Sequence, residues 1–556
     1  MTFKRKEGNL VIESKPRKKN IADLVLLNCK VYTMNDDLDV EEAVAVKGNK
    51  IICVGTEEDV KKLIGDNTCV LNLEGKPVLP GFEDCHCHLI SYGLSLSQVD
   101  LSDLTDIKNL LKRVEIKAKN LPNDFWIRGH SWDQEKMGGN WPTRFDLDSV
   151  SPNNPVLLTR ICCHIAVANS KALELAGISK ETPDPVGGEI ERDKVTGEVT
   201  GLLKDSAIDL VEKVIPQATR DEIKTAIKLI TRKALEKGVT SIEDVGVGWE
   251  EVNIYSDLYL DGELGIRMSF LIDVGFLDEM IKRSMRSPYP LHKGWVNVTG
   301  VKVFADGSLG GRTAYLKEPY LDRLDTCGLP MLSQDDLNKI VLKANQFGIQ
   351  VAVHAIGDAA NEMVIKAFEN SLSSIGYKKY SKLRNRIEHC SVLNDFLLSK
   401  YKELGVLASI QLSFEASDRN WIIKRVGKER IRYVYAWRSL LDSDLVCIGG
   451  TDCPIEVLDP IIGLYNVSNR ERGIVDDDLY LQQKISVREG LELITKNAAY
   501  GTFEEDVKGT IEVGKYADMV VLSKDLLEVG REEILNAKVL MTIVDGKILF
   551  DIREKG

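Results

Sequence analysis

Residues 79–89, LPGFEDCHCHL, constrain this chain more than any other stretch. They set His86 and His88 two residues apart at the end of an apolar approach. On a β-strand, side chains two apart share a face. Both imidazoles therefore reach one metal ion, while Cys85 and Cys87 point the other way. Pro80 and Gly81 mark the turn into this short strand. The chain has only seven His, so a His-x-His pair stands out against chance.

Four further candidates add to its weight, each where an apolar run ends. Lys302 falls in VTGVKVFADG, His354 in GIQVAVHAIGD, His389 in NRIEHCS and Asp452 in DLVCIGGTDCP. Each comes after a β-type run and precedes Gly, Ser or Pro, as a strand C-terminus does. In a parallel α/β barrel, that rim supplies the catalytic groups. The spacing agrees with a βα unit of ~30 residues. His354 and His389 stand one unit apart. His389 and Asp452 stand two apart, with VLASIQL as the strand between. His88 and Lys302 are separated by far more than the three units expected there. GVTSIEDVG near 238–246 reads as the second strand and GIRMSFLI near 265–272 as the third. The excess length is therefore an insertion over 92–225, after the first strand. A loop leaving that end of a strand belongs over the active-site mouth, so it reads as a lid or substrate region.

Composition narrows the class. A chain of 556 residues is too long for one ordinary core. One large barrel, residues 81–504, with additions fits better. Net charge of −12 argues against a nucleic-acid surface. The early cluster Lys4, Arg5, Lys6, Lys15, Arg17, Lys18 and Lys19 makes residues 1–19 a basic, solvated tail, expected to be disordered. No apolar run has the ~18–20 residues of a membrane span, and no signal-peptide pattern opens the chain. Eleven irregularly spaced Cys, several inside apolar strands, read as buried reduced thiols in a cytoplasmic protein. Residues 20–80 and 505–556 are both β-rich, with hairpin signals such as Asp545-Gly546. They suggest one composite β-domain made from both ends.

The stretches LPGFEDCHCHL, DPVGGEIERDKVTGEVTGLL, VKVFADGSLGGRTAYL, HAIGDAANE, RIEHCSVL, GGTDCPIEVLDP and KGTIEVGKYADMVVL resemble the amidohydrolase superfamily. More narrowly they resemble its YtcJ-like branch, which includes N-substituted formamide deformylases. The resemblance runs nearly end to end. It implies a (β/α)8 TIM-like metal-dependent hydrolase barrel beside a small β-sandwich built from both termini. It also implies that His86, His88, Lys302, His354, His389 and Asp452 surround one or two divalent ions, zinc being the first choice for such donors. Lys302, a poor ligand as an ammonium, would serve as a carbamate formed with CO2. Asp452 would be ligand and proton shuttle.

The expected activity is hydrolysis of a non-peptide C–N bond (amide, formamide or cyclic amide) in a small molecule. Two alternatives stay open: a mononuclear aminohydrolase (deaminase) and a non-catalytic metal-binding protein. His164 and His130, with Trp132, are candidate substrate contacts on the insertion, and Arg312 is one after the Lys302 strand. His292 reads as a loop histidine. The resemblance allows a homodimer. The chain departs from the branch pattern at Val167, Gln411-Leu412, Phe414 and Thr451. None of these removes a metal ligand, but pocket-lining positions are affected.

Overall fold

Strands buried on both faces favour apolar side chains, and eight buried strands form one parallel sheet here, several with charged or imidazole residues among the apolar ones. A computed structural model of the chain describes residues 2–6, 9–13, 21–37, 39–96, 98–134, 136–160, 165–185, 188–470, 475 and 477–555. The strands are β1 Phe82–Cys87, β2 Val239–Val247, β3 Arg267–Asp273, β4 Val296–Phe304, β5 Gln350–Ala355, β6 Arg386–His389, β7 Leu407–Gln411 and β8 Cys447–Gly450. They pair in that order. At the rim, His86 C=O accepts from Asp452 N–H and Cys453 C=O accepts from His88 N–H, both at 2.7 Å. These two bonds bring the last strand back to the first. An extra strand, Tyr289–His292, pairs antiparallel with β4.

Local signals deliver each strand. The helix Asp395–Leu404 starts at Asn394, whose side chain accepts from Leu397 N–H, and ends at Gly405 with φ 60°. That left-handed position costs a glycine nothing and turns the chain into β7. Gly450 is required for a different reason. A Cβ there would lie 2.7 Å from His86 N and 2.9 Å from Asp84 Oδ1. Only glycine lets β8 approach β1 this closely.

The two ends of the chain meet in a second sheet of eight strands. Leu24–Tyr32 pairs with Cys69–Pro80, and Met519 stands opposite Pro80. Its core joins Leu26, Val44 and Val78 to Met519 and Ile543, so neither end can bury its apolar face without the other. Arg267 on β3 ties this sheet to the barrel. Its Nε donates to Asp518 at 2.6 Å and its NH2 to Asp545 at 2.9 Å. Part of the expected disordered tail is paired instead: Thr2–Lys6 forms an antiparallel ladder with Asn9–Glu13.

The chain divides into two compact units, one of residues 1–89 with 228–556, the other Ile90–Ile227. The second unit enters the chain directly after His88 and Leu89. It carries its own six-stranded mixed sheet, with cores on separate clusters around Trp132 and Leu203. Among the described residues, no helix is long and apolar enough to cross a membrane.

Candidate metal centre

Six side chains from four barrel strands and the turn after β8 meet at the rim. His86 lies near the end of β1 and His88 just beyond it; Cys85 points outward, against Leu407, Ile448 and Ala498. The fully buried Lys302 of β4 places Nζ 3.1 Å from His86 Nε2. Asp452 Oδ1 lies 3.4 Å from His86 Nε2 and 3.3 Å from His88 Nε2. The His389 ring, from β6, is 4.9 Å from that of His86 and 4.3 Å from that of His354 on β5. His86, His389 and Asp452 offer donor atoms within 4.8 Å of one another. The candidate residues His86, His88, Lys302, His354, His389 and Asp452 are thus brought together. The Asp306 carboxylate accepts from the backbone N–H groups of Tyr315, Ile356 and Gly357.

Backbone strain helps to aim two of these groups. His389 has φ 77° and Asp452 φ 60°, a left-handed region that non-glycine residues rarely enter and that clusters at functional sites. On a regular strand, Glu388 and His389 would face opposite sides. The turn at His389 lets both face the interior.

The donors suit a divalent ion. His86 Nδ1 meets Glu388 Oε2 at 2.5 Å, and His389 Nδ1 meets the Gln411 side-chain oxygen at 2.7 Å. A carboxylate and an amide oxygen only accept, so both rings carry the proton on Nδ1 and present Nε2 to the pocket. His354 is reversed: its Nε2 donates to Gly307 C=O at 3.0 Å, leaving Nδ1 as the free lone pair. Burial, with the Lys302 charge second, pushes His86 down to about 4 and His354 down to about 3. Burial also holds His389 well below 6.5. Burial alone would raise Asp452, but His86, His88 and Lys302 outweigh it and hold the carboxyl below its ordinary range. Burial lowers Lys302 to about 8. Neutral imidazoles with an ionised carboxylate form the nitrogen and oxygen set that zinc and other first-row ions take.

Behind the donors lies a layer that sequence reading missed. Arg386 Nε donates to Glu388 Oε1, Arg386 NH1 stands 2.6 Å from Glu243 Oε2, and Thr299 Oγ1 donates to Glu243 Oε1. All four residues are fully buried. Asp84 on β1 accepts from Thr451 N–H at 3.0 Å and from Thr451 Oγ1 at 2.6 Å. The one advance signal was the run RIEH, in which two charged residues alternate along the strand that carries His389.

The expected substrate contacts fare differently. Trp132 requires correction: it is fully buried in the core of the second unit and donates through Nε1 to Leu158 C=O at 2.9 Å. A ring with no exposed surface meets no substrate. Arg312 is engaged elsewhere, its Nε and NH2 on Asp322 at 3.2 and 3.0 Å. His130 is half-buried beside Ser131 Oγ at 3.0 Å. His164 lies outside the described residues. His292 stacks on Tyr259 with centroids 4.6 Å apart. Of the departures from the branch pattern, Gln411 holds His389, Thr451 locks Asp84, and Phe414 stacks on His389 with rings 5.7 Å apart and 6° from parallel.

An eight-stranded parallel barrel with imidazoles and a carboxylate converging at its C-terminal rim is the build of a metal-dependent hydrolase. The chain belongs to the amidohydrolase family, whose model matches residues 70–550. It is 34% identical to the putative amidohydrolase YtcJ of Bacillus subtilis (strain 168), over 94% of this chain and 98% of that protein. It is 28% identical to an N-substituted formamide deformylase of Arthrobacter pascens, over 95% and 98% respectively. The crystal structure of an uncharacterized metal-dependent hydrolase from Pyrococcus horikoshii OT3 superposes with a TM-score of 0.78 at 31% identity, covering 92% of this chain and 99% of that one.

Proposed function

We propose that this protein hydrolyses a non-peptide C–N bond of a small molecule: an amide, a formamide or a cyclic amide. The observation that carries the reading is the Asp452 carboxylate, within 3.4 Å of both His86 Nε2 and His88 Nε2. His86, His88, His354, His389 and Asp452 would hold one or two ions, zinc by donor type. Such an ion supplies Lewis acidity toward a carbonyl and toward water. Asp452, ionised and buried, accepts the proton of the attacking water and returns it to the leaving nitrogen. Lys302 is fully buried among imidazoles, and burial lowers its amine to about 8, which makes the neutral form easier to reach. As a carbamate, formed if its neutral amine adds CO2 and loses a proton, it would be an anionic oxygen donor to a bound ion. The formamide named for the Arthrobacter relative supports that end of the substrate range. The buried free thiols Cys85, Cys87, Cys390 and Cys447 support a reducing, cytoplasmic setting.

The test is a substrate panel run beside a metal count. Formamides, anilides and cyclic amides should yield amine and carboxylate. Ammonia released from a ring amine by protein with a single ion would move the reading to a deaminase. Metal-loaded protein inert across both sets would leave a binding protein.

A further inference from the structure

We infer that Glu388 is a positioning residue that sets the metal affinity of His86, acting through a buried carboxylate–guanidinium–carboxylate chain across the barrel interior. The inference rests on the proposed metal site and extends it to residues that touch neither ion nor substrate.

Barrel interiors are ordinarily filled with Val, Ile and Leu. Here one layer holds Glu243 of β2, Thr299 of β4, and Arg386 and Glu388 of β6, all fully buried. Such groups are costly to bury unless each is paired. Each guanidinium nitrogen of Arg386 has an oxygen neighbour, two of them by hydrogen bond. Nε holds Glu388, NH1 faces Glu243 at 2.6 Å, and NH2 donates to Cys85 C=O at 3.1 Å. Cys85 adjoins His86, so the same side chain ties β6 to the backbone that carries the ligand. The other oxygen of Glu388, Oε2, meets His86 Nδ1 at 2.5 Å.

Hydrogen-bond roles then fix the tautomer. Glu388 can only accept, so the His86 proton stays on Nδ1 and the Nε2 lone pair stays toward the pocket. A carboxylate in this place also makes the imidazole a stronger donor to a cation. Partners of this kind typically matter 10–100-fold in metal affinity. Gln at 388 keeps the volume but removes the charge. Its NH2 group would then oppose either Arg386 Nε–H or His86 Nδ1–H, donor against donor.

The experiment measures Zn²⁺ affinity of the metal-stripped full-length chain by competition with a chromophoric chelator, for wild type and Glu388→Gln. The expected result is a loss of about 10–100-fold in a variant whose circular dichroism matches wild type. A purely structural role would lower the unfolding midpoint and leave the affinity of the folded protein alone. ¹⁵N-labelled His spectra of the stripped wild type give a second readout that needs no variant to fold. The His86 resonances, identified by their loss in His86→Ala, should show the proton on Nδ1. Equal Zn²⁺ affinity in folded Glu388→Gln, or a wild-type His86 protonated on Nε2, would overturn the inference. Wild type that binds no Zn²⁺ would instead bring down the metal reading itself, and this inference with it.

Discussion

Asp452 sits where one carboxylate would both neighbour a bound ion and move a proton under the proposed function. Proton transfer by a positioned group is worth ~10²–10⁴-fold, so Asp452→Asn should lose about that much turnover while keeping most of its metal. Steady-state rates and metal content on the same sample check this; near-full turnover with metal bound would send the search for a shuttle elsewhere. Lys302→Ala should lose metal, and bicarbonate with a short carboxylic acid should restore part of it. The imidazoles give a pH prediction. Their folded values, about 4 for His86 and about 3 for His354, lie below the ordinary 6.5. The neutral, metal-binding form therefore persists as pH falls from 7 toward 5, and protons compete only as pH nears the folded values. Metal bound at pH 7 should survive dialysis at pH 5.5; release with a midpoint between 6 and 7 would show ordinary imidazoles. The four histidines, Lys302 and Asp452 could be singled out in the sequence because each falls at or near the end of a β-type run. Glu388, Arg386 and Glu243 were not, because charged residues in a sequence read as surface. The partner that makes burial tolerable is far away: His86 and Glu388 are 302 residues apart.

At the level of the strands, the join between β1 and β8 positions two ligands at once. Thr451 Oγ1 donates to buried Asp84 at 2.6 Å and accepts from Cys453 N–H at 3.1 Å. Thr451→Val leaves Asp84 Oδ2 and Cys453 N–H without these partners, though Asp84 Oδ1 keeps the backbone N–H groups of His86 and Thr451, and should cost about 1–3 kcal/mol, read from a denaturant midpoint. Trp132 belongs to the same scale, now as a core residue. Trp132→Ala should destabilise the second unit by about 3–5 kcal/mol, and a variant of unchanged stability with altered substrate preference would restore the substrate role. The sequence reading placed Trp132 wrongly because a Trp near His130 on an insertion looks like a binding feature. What buries it, the sheet Ile127–Trp132 with Val156–Arg160, is a pairing that alternation alone does not reveal. The barrel strands themselves were readable, since apolar runs of four to nine residues recur at the βα spacing.

For the molecule as a whole, the terminal sheet and the inserted unit show what local pattern carries and what it does not. Both ends read as β-rich, and their union stems from the need of each to bury one face. The internal order of residues 90–227 could not be read, because its short strands pair both parallel and antiparallel. The function proposed for the whole chain is hydrolysis of a C–N bond with a divalent ion that His86, His88, Lys302, His354, His389 and Asp452 would hold. The most direct measurement is metal content and amide hydrolysis on one preparation, as purified, after chelation, and after metal is returned. The expected result is at least one equivalent of zinc or a similar ion, activity abolished by the chelator, and activity restored by the ion. Metal-free protein that hydrolyses amides at the full rate would contradict the claim.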